Sequence, residues 1–310
     1  MFKIKNSNGF TLVELLVTLF IIVLVLGASY ITYINLLKGF KGESKEVESQ
    51  IEKVVGLELL RLDLEHAGLG IGVDQPDLPI QWDGSTLTIL STLNNSSKKT
   101  FGWLMVNCNS GLWPTNYLDT REVTSNTNIV FLDASSRNFV ANSTSLSCPG
   151  SDIYLGFPVQ NSVANGTANG CSTQWCNIIT YSLSSSQNIS TCNPNTRNLV
   201  RKTGSAALNN GTGTPILNCV ADFQVRFDLD TDGDNIVDST NSNTIPMTPD
   251  QLRAQIKRVN VYILVQEGKY DPKFNFSGST SIDGISLNLP SNSQHYRWKV
   301  IKISVKPMDL

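Results

Sequence analysis

Five aspartates fall within eleven residues of the chain: Asp228, Asp230, Asp232, Asp234 and Asp238. Counted from Asp230, carboxylates occupy positions 1, 3, 5 and 9, and Ile236 at position 7 offers a backbone carbonyl. Alternate residues of a tight turn point at one centre, and oxygen donors at this spacing suit a hard cation such as calcium. Asn235 stands at position 6, where the turn needs a left-handed residue, a conformation asparagine adopts less readily than glycine. Counting from Asp228 moves Gly233 to position 6 but Ile236 to position 9, so the register from Asp230 is preferred. Neither register has glutamate at position 12, which sets the expected affinity in the millimolar to submillimolar range of extracellular modules. Four crowded carboxylates without a cation would repel one another. The expected ligand set is Asp230, Asp232, Asp234, Ile236 and Asp238, with calcium as the cofactor.

Cysteine is the second chemistry-bearing residue type. All six, Cys108, Cys148, Cys171, Cys176, Cys192 and Cys219, lie beyond the apolar N-terminal stretch. An even set in that position reads as disulfides formed in an oxidising compartment. Cys171–Cys176 is the easiest local bridge; Cys108–Cys148 and Cys192–Cys219 follow only from order along the chain. Zinc is disfavoured, because no C-x2-C pair occurs and both histidines, His66 and His295, are distant in sequence.

Catalytic patterns are missing. The chain has no H-E-x-x-H, no G-x-S-x-G and no Walker loop. Asp63 and Glu65 read as solvated carboxylates on a helix face, and His66 as a complement to a helix C-terminal dipole. The run Ala67-Gly68-Leu69-Gly70-Ile71-Gly72 lacks a preceding strand and the spacing of a nucleotide loop, so it reads as a helix cap followed by an extended turn. A net charge of −2 argues against nucleic acid as a partner. With 16% charged residues, Ser, Thr, Asn and Gly must cover much of the surface, which suits an extracellular β-rich protein.

The remaining chemistry lies at the N-terminus. From Thr11 to Leu37 the chain carries one charge, Glu14, and a helix of that length reaches ~40 Å against a hydrocarbon core of ~30 Å. A signal peptide would be shorter and end in a cleavage region of small residues. A plain anchor accounts for the length and for Lys3 and Lys5 on the cytoplasmic side. It leaves Glu14 unexplained, since a carboxylate near the bilayer centre costs ~2.5–3.5 kcal/mol or more.

Gly9-Phe10-Thr11-Leu12-Val13-Glu14 resembles the processing site of type IV prepilins and type II secretion pseudopilins. The resemblance implies cleavage after Gly9 by a prepilin peptidase, methylation of Phe10 as the new N-terminus, and retention of the apolar helix. It makes Glu14 the family's assembly glutamate. A physical reason agrees: in a helix bundle its carboxylate pairs with the amine of a neighbour's Phe10, and a buried charge is tolerated when paired.

The elements that position these groups follow from periodicity. Val47, Ile51, Val55, Leu59 and Leu62 recur at spacings of three and four, no proline precedes Pro76, and Gly27, Gly39, Gly42 and Gly56 weaken a helix without forbidding it. One helix is expected over 11–66. Strands are expected over 86–90, 129–132, 153–157, 178–183, 198–202, 219–227, 259–266 and 297–305, with Pro249-Asp250-Gln251 turning into a short helix. The fold class is α+β: a long N-terminal helix packed against an antiparallel β-sheet head. The divisions are a leader over 1–9, a membrane or filament-core helix over 10–37, an amphipathic helix over 38–67, and a β-rich head over 68–310.

The helix end over 60–68 and the strand with its acidic loop are similar to those of large minor pilins of the PilW type. That resemblance implies a minor type IV pilus subunit that initiates or caps assembly near the filament tip. The alternatives are a J-type pseudopilin of a type II secretion system and a tip adhesin. Its implied partners are other major and minor pilins, the prepilin peptidase, and the inner membrane before assembly. The location is then an inner-membrane anchor with a periplasmic head, followed by the pilus surface.

Overall fold

Leucine, glutamate and lysine are frequent before the first proline, and all are strong helix formers. They build α1 (Leu12–Glu65), 54 residues long. The computed structural model describes residues 11–96, 103–108, 128–144, 148–159, 171–204, 207, 211–245, 248–308 and 310, with the backbone alone over 38–52. The chain divides into two units, Met1–Lys53 and Val54–Leu310. The first contributes the N-terminal part of α1.

The second unit is antiparallel throughout its described strands. Its strands are β1 (Ile80–Trp82), β2 (Thr86–Ser91), β3 (Leu104–Asn107), β4 (Asn128–Asp133), β5 (Phe139–Ser143), β6 (Ile153–Val159), β7 (Asn177–Leu183) and β8 (Arg197–Thr203). There follow β9 (Thr214–Leu229), β10 (Ser239–Ser242), β11 (Ile256–Glu267), β12 (Ser281–Ile282), β13 (Ile285–Ser286) and β14 (Arg297–Val305). The large sheet runs β1-β2-β7-β8-β9-β11-β14 with β10 on β9; a second runs β3-β6-β4-β5, and β12 pairs β13. The strands that sequence alternation does not reveal are short and often polar, as in STNS of β10; their neighbours supply the pairing. α2 (Pro249–Gln255) starts where expected, capped by the Thr248 side chain with proline in the first turn.

Alternation sorts β9 cleanly. Val220, Phe223, Val225 and Phe227 enter the main core, while Gln224 and Arg226 face outward, hydrogen-bonded to each other. The central strand β11 is buried on both faces, with Val261, Ile263 and Val265 in the main core and Tyr262 and Leu264 in a second cluster with Trp298. The long β9 carries a bulge: Asp222 pairs Leu264 but Val220 pairs Val265, and Cys219 sits at φ 56. The six cysteines form Cys108–Cys148, Cys171–Cys176 and Cys192–Cys219, the last anchoring that bulge.

The helix face turned inward differs from the expected stripe. Val55 is 62% exposed, whereas Leu60, Leu64 and Ala67 are fully buried with Leu87, Ile89 and Val261. Spacings of three and four satisfy both stripes, and close approach at Gly56 selects the second. A Cβ on Gly56 would lie 2.1 Å from the Ile216 carbonyl oxygen. Gly56→Ala therefore forces helix and strand apart. Its gain of ~0.5–1 kcal/mol in helix propensity is outweighed by an overpacking cost of ~1–3 kcal/mol. Thermal melting is expected to drop by several degrees; a variant melting at or above wild type would refute the close-approach argument.

Candidate functional site

α1 begins with a reciprocal cap. Thr11 N donates to Glu14 Oε2 at 3.0 Å, its hydroxyl donates to the same oxygen at 3.0 Å, and Glu14 N donates back to Thr11 Oγ1 at 3.4 Å. This is the capping box that T-x-x-E encodes locally. Leu12–Leu37 has a mean hydropathy of 2.7 and is long and apolar enough to cross a membrane. Its large side chains are exposed within the isolated chain, Phe20 at 66% and Leu26 at 63%, so this surface needs lipid or other helices around it. Thr18 and Thr32 return their hydroxyls to the Leu15 and Ala28 carbonyls. Gly9 and Phe10 lie outside the described residues.

In the acidic loop the structure gathers Asp230, Asp232 and Asp238, each offering an oxygen within 4.8 Å of the others. Gly233 (φ 85) and Asn235 (φ 68) make the left-handed bends. Asp230, wholly buried, accepts from the Gly233 amide at 2.6 Å and the Asn235 amide at 2.8 Å. Asp238 accepts from the Thr231 amide at 2.7 Å and hydroxyl at 2.9 Å. Asp234 is not brought into the cluster; its carboxylate accepts from the Ile236 amide at 2.7 Å. Position 12 of the register, Asn241, is committed elsewhere through Tyr262 and Asp283.

Sequence spacing does not reveal Lys257, whose ammonium sits 3.1 Å from Asp230 Oδ2 and 3.1 Å from Asn235 Oδ1. Burial pushes the Asp230 carboxyl up, but the Gly233 amide, Lys257 and the Asn235 amide together hold it below the usual carboxylate range. Thr231 holds Asp238 below that range as well.

Two helix-end carboxylates read from sequence as solvated are both engaged. Glu65 is half-buried and pairs with Arg61 at 2.7 Å. Asp63 is 1% exposed and accepts from Arg201 Nε at 2.6 Å, Arg201 Nη2 at 3.2 Å, the Tyr181 hydroxyl at 2.5 Å and Asn95 at 2.9 Å. Nothing near Asp63 in sequence signals this, since its main partner is 138 residues away. Burial and the Asp63 charge push the Tyr181 hydroxyl well up, so it stays a donor. His66 Nδ1 lies 2.9 Å from the Leu62 carbonyl in the last helical turn, and Gly68 (φ 86) and Gly70 (φ 68) make the turn after it.

Residues 4–30 match the family described as the prokaryotic N-terminal methylation motif. No curated protein and no solved structure matches the chain. With the apolar helix, the match supports a type IV pilin-like or pseudopilin protein anchored in a membrane before assembly. It implies processing by a prepilin peptidase and assembly with other pilins, and proteins of this kind are generally structural.

Proposed function

We propose that the chain is a minor type IV pilus subunit of the PilW kind, which helps initiate or cap assembly near the filament tip. The observation that carries this reading is Glu14, the lone charge between Thr11 and Leu37 of a helix whose side chains need a surround. In lipid that carboxylate is costly; beside a neighbour's N-terminal amine it becomes a docking contact. The large second unit, Val54–Leu310, suits a low-copy position better than a repeated shaft. It would face the periplasm before assembly and the exterior afterwards.

Pilus counting in a deletion strain tests the proposal. Wild type restores pili. Glu14→Ala leaves the chain in the membrane but lowers pilus number about tenfold or more, because each ~1.4 kcal/mol lost from association is a factor of ten. Normal piliation without the gene would dismiss an assembly role. Normal piliation with failed export of secreted proteins would instead identify a type II secretion pseudopilin.

We also propose that the acidic loop binds calcium, supported by the three converging carboxylates and the two left-handed residues. Asp230, Asp232 and Asp238 would hold the ion, which would compete with Lys257 for Asp230. At ten times a millimolar dissociation constant, the melting temperature of the full chain is expected to rise by about 3–5 °C. Asp238→Asn should abolish the rise, and Lys257→Ala should enlarge it. Absence of calcium-dependent heat or melting shift up to several millimolar would end the proposal.

The loop also carries a pH dependence. Asp230 and Asp238 have lowered values in the folded chain, so their stabilisation is complete above the unfolded value of ~3.9 and is lost as pH falls through the folded values. Melting temperature should hold from pH 5 upward on this account and decline below about pH 4. Asp238→Asn should blunt the decline.

A further inference from the structure

The second unit carries a cleft that neither the N-terminal helix nor the acidic loop uses. It measures about 480 Å³ and is lined chiefly by Trp82, Asp83, Asp222, Gln224, Arg226 and Asn288. A second hollow of about 250 Å³ shares Trp82 and Asp83 and adds Leu78, Thr86 and Ile245. Trp82 stands between the two and is braced by Phe223, edge to face, with ring centroids 5.5 Å apart.

The polar lining is locked in place. Asp222 Oδ2 accepts from Gln224 Nε2 at 2.9 Å and from Asn288 through its amide at 2.8 Å and its side chain at 3.2 Å. Gln224 Oε1 in turn accepts from Arg226 Nη2 at 2.7 Å. Side chains already fixed cost little further entropy on binding. Trp82 Nε1 and the Asn243 carboxamide have no hydrogen-bond partner among the described residues.

The chemistry of this set selects its ligand. Asp222 and Gln224 are taken up by these bonds, the Phe223 amide and the Ser286 carbonyl, and Asp83 Oδ1 by Ser85 and Thr86. A ligand meets Asp83 Oδ2, the remaining N–H groups of Arg226, Asn288 Oδ1, the Asn243 carboxamide and Trp82 Nε1, acceptors and donors side by side around one indole. A hydroxyl both donates and accepts, so neighbouring hydroxyls on a ring can pair with such a set while the ring's C–H face covers the indole. Two carboxylates against one guanidinium disfavour an anion. Two hollows flanking one aromatic accommodate more than one ring, and the larger falls within the ~300–1,000 Å³ usual for ligand sites. We propose that this cleft binds a neutral oligosaccharide. The proposal does not depend on where the subunit sits in a filament.

The test uses the full-length chain, labelled and held in a detergent without a sugar headgroup. It is applied to an array of neutral, sialylated and sulfated di- to tetrasaccharides with a peptide panel alongside. Neutral sugars should be retained and the anionic ones not. Trp82→Ala should weaken retention about tenfold, the scale of one aromatic contact. Because Trp82 also packs on Phe223, Asn288→Ala on an exposed residue is the second variant, with several-fold weaker retention and an unchanged melting temperature. Tyr270→Ala, exposed outside the cleft, should bind as wild type. Pilus numbers should be normal in all three, separating a binding defect from an assembly defect. No retention of neutral sugars, preference for anionic sugars or peptides, or wild-type binding by Asn288→Ala would each overturn the proposal.

Discussion

Asp63→Ala is expected to destabilise the second unit by ~3–5 kcal/mol, the scale for leaving one partner of a buried ion pair alone. The residue holds the end of α1 to the sheet through Arg201 on β8 and Tyr181 on β7. Arg201 is itself 6% exposed. Burial acts against its charge, but the Asp63 carboxylate more than compensates and holds it charged. Without Asp63, the partners left to Arg201 among the described residues are neutral, Ser96 and Asn94 at 3.0 Å and the Tyr181 hydroxyl. The melting temperature should fall by about 6–20 °C for a unit of this size. Asp63→Asn, which retains an acceptor but not the charge, should fall in between.

Replacing the whole group by apolar residues tests the cause. Asp63→Leu with Arg201→Met and Tyr181→Phe should recover to within ~1–2 kcal/mol of wild type, because a well-packed apolar set can stand in for a buried pair. If Asp63→Ala melts like wild type, the network is not what fastens helix to sheet. Tyr181 adds a second signature. Its folded value is raised, so its contribution is complete below the unfolded value of ~10 and is lost only as pH rises beyond it through the folded value.

Gly9→Val should abolish processing outright. Under the proposed function the peptidase cuts after Gly9 and frees the Phe10 amine. A branched side chain at the cut blocks that step, and mass spectrometry should find the nine-residue leader still attached. Incorporation into pili should be lost with it. An uncut chain has an amide where the charged amine would be, so Glu14 of a neighbour would enter the filament unpaired at ~2.5–3.5 kcal/mol or more. Gly9→Ala should be cut more slowly and still assemble. Gly9→Val processed to mature length would refute the requirement for glycine at the cut, and uncut Gly9→Val recovered from filaments would refute the pairing argument.

The parts legible in the sequence are those whose causes are local. An apolar run with a single charge specifies a helix long enough to cross a membrane, and T-x-x-E at Thr11 and Glu14 specifies its cap. Alternation in β9 marks its inner and outer residues, because strand side chains repeat every two positions. The short separation of Cys171 and Cys176, five residues, made that bridge the simplest pairing. Asn235 turned left-handed in a loop whose carboxylate spacing was already plain.

What only tertiary structure decided is where distant groups meet. The helix stripe around Leu60 and the one around Leu59 share the same periodicity, and the approach of Ile216 to Gly56 chose between them. Asp63 looks like any helix-surface carboxylate until Arg201 arrives from 138 positions away. Lys257 reaches the acidic loop from another strand, and Asp234 turns aside to cap Ile236. Trp82 finds Phe223 and the Asp222–Arg226 row only because the sheet brings β1 near β9. Periodicity tells a residue which face it lies on. It carries no information about which charge or ring will stand opposite, because that depends on chain closure over a hundred residues or more.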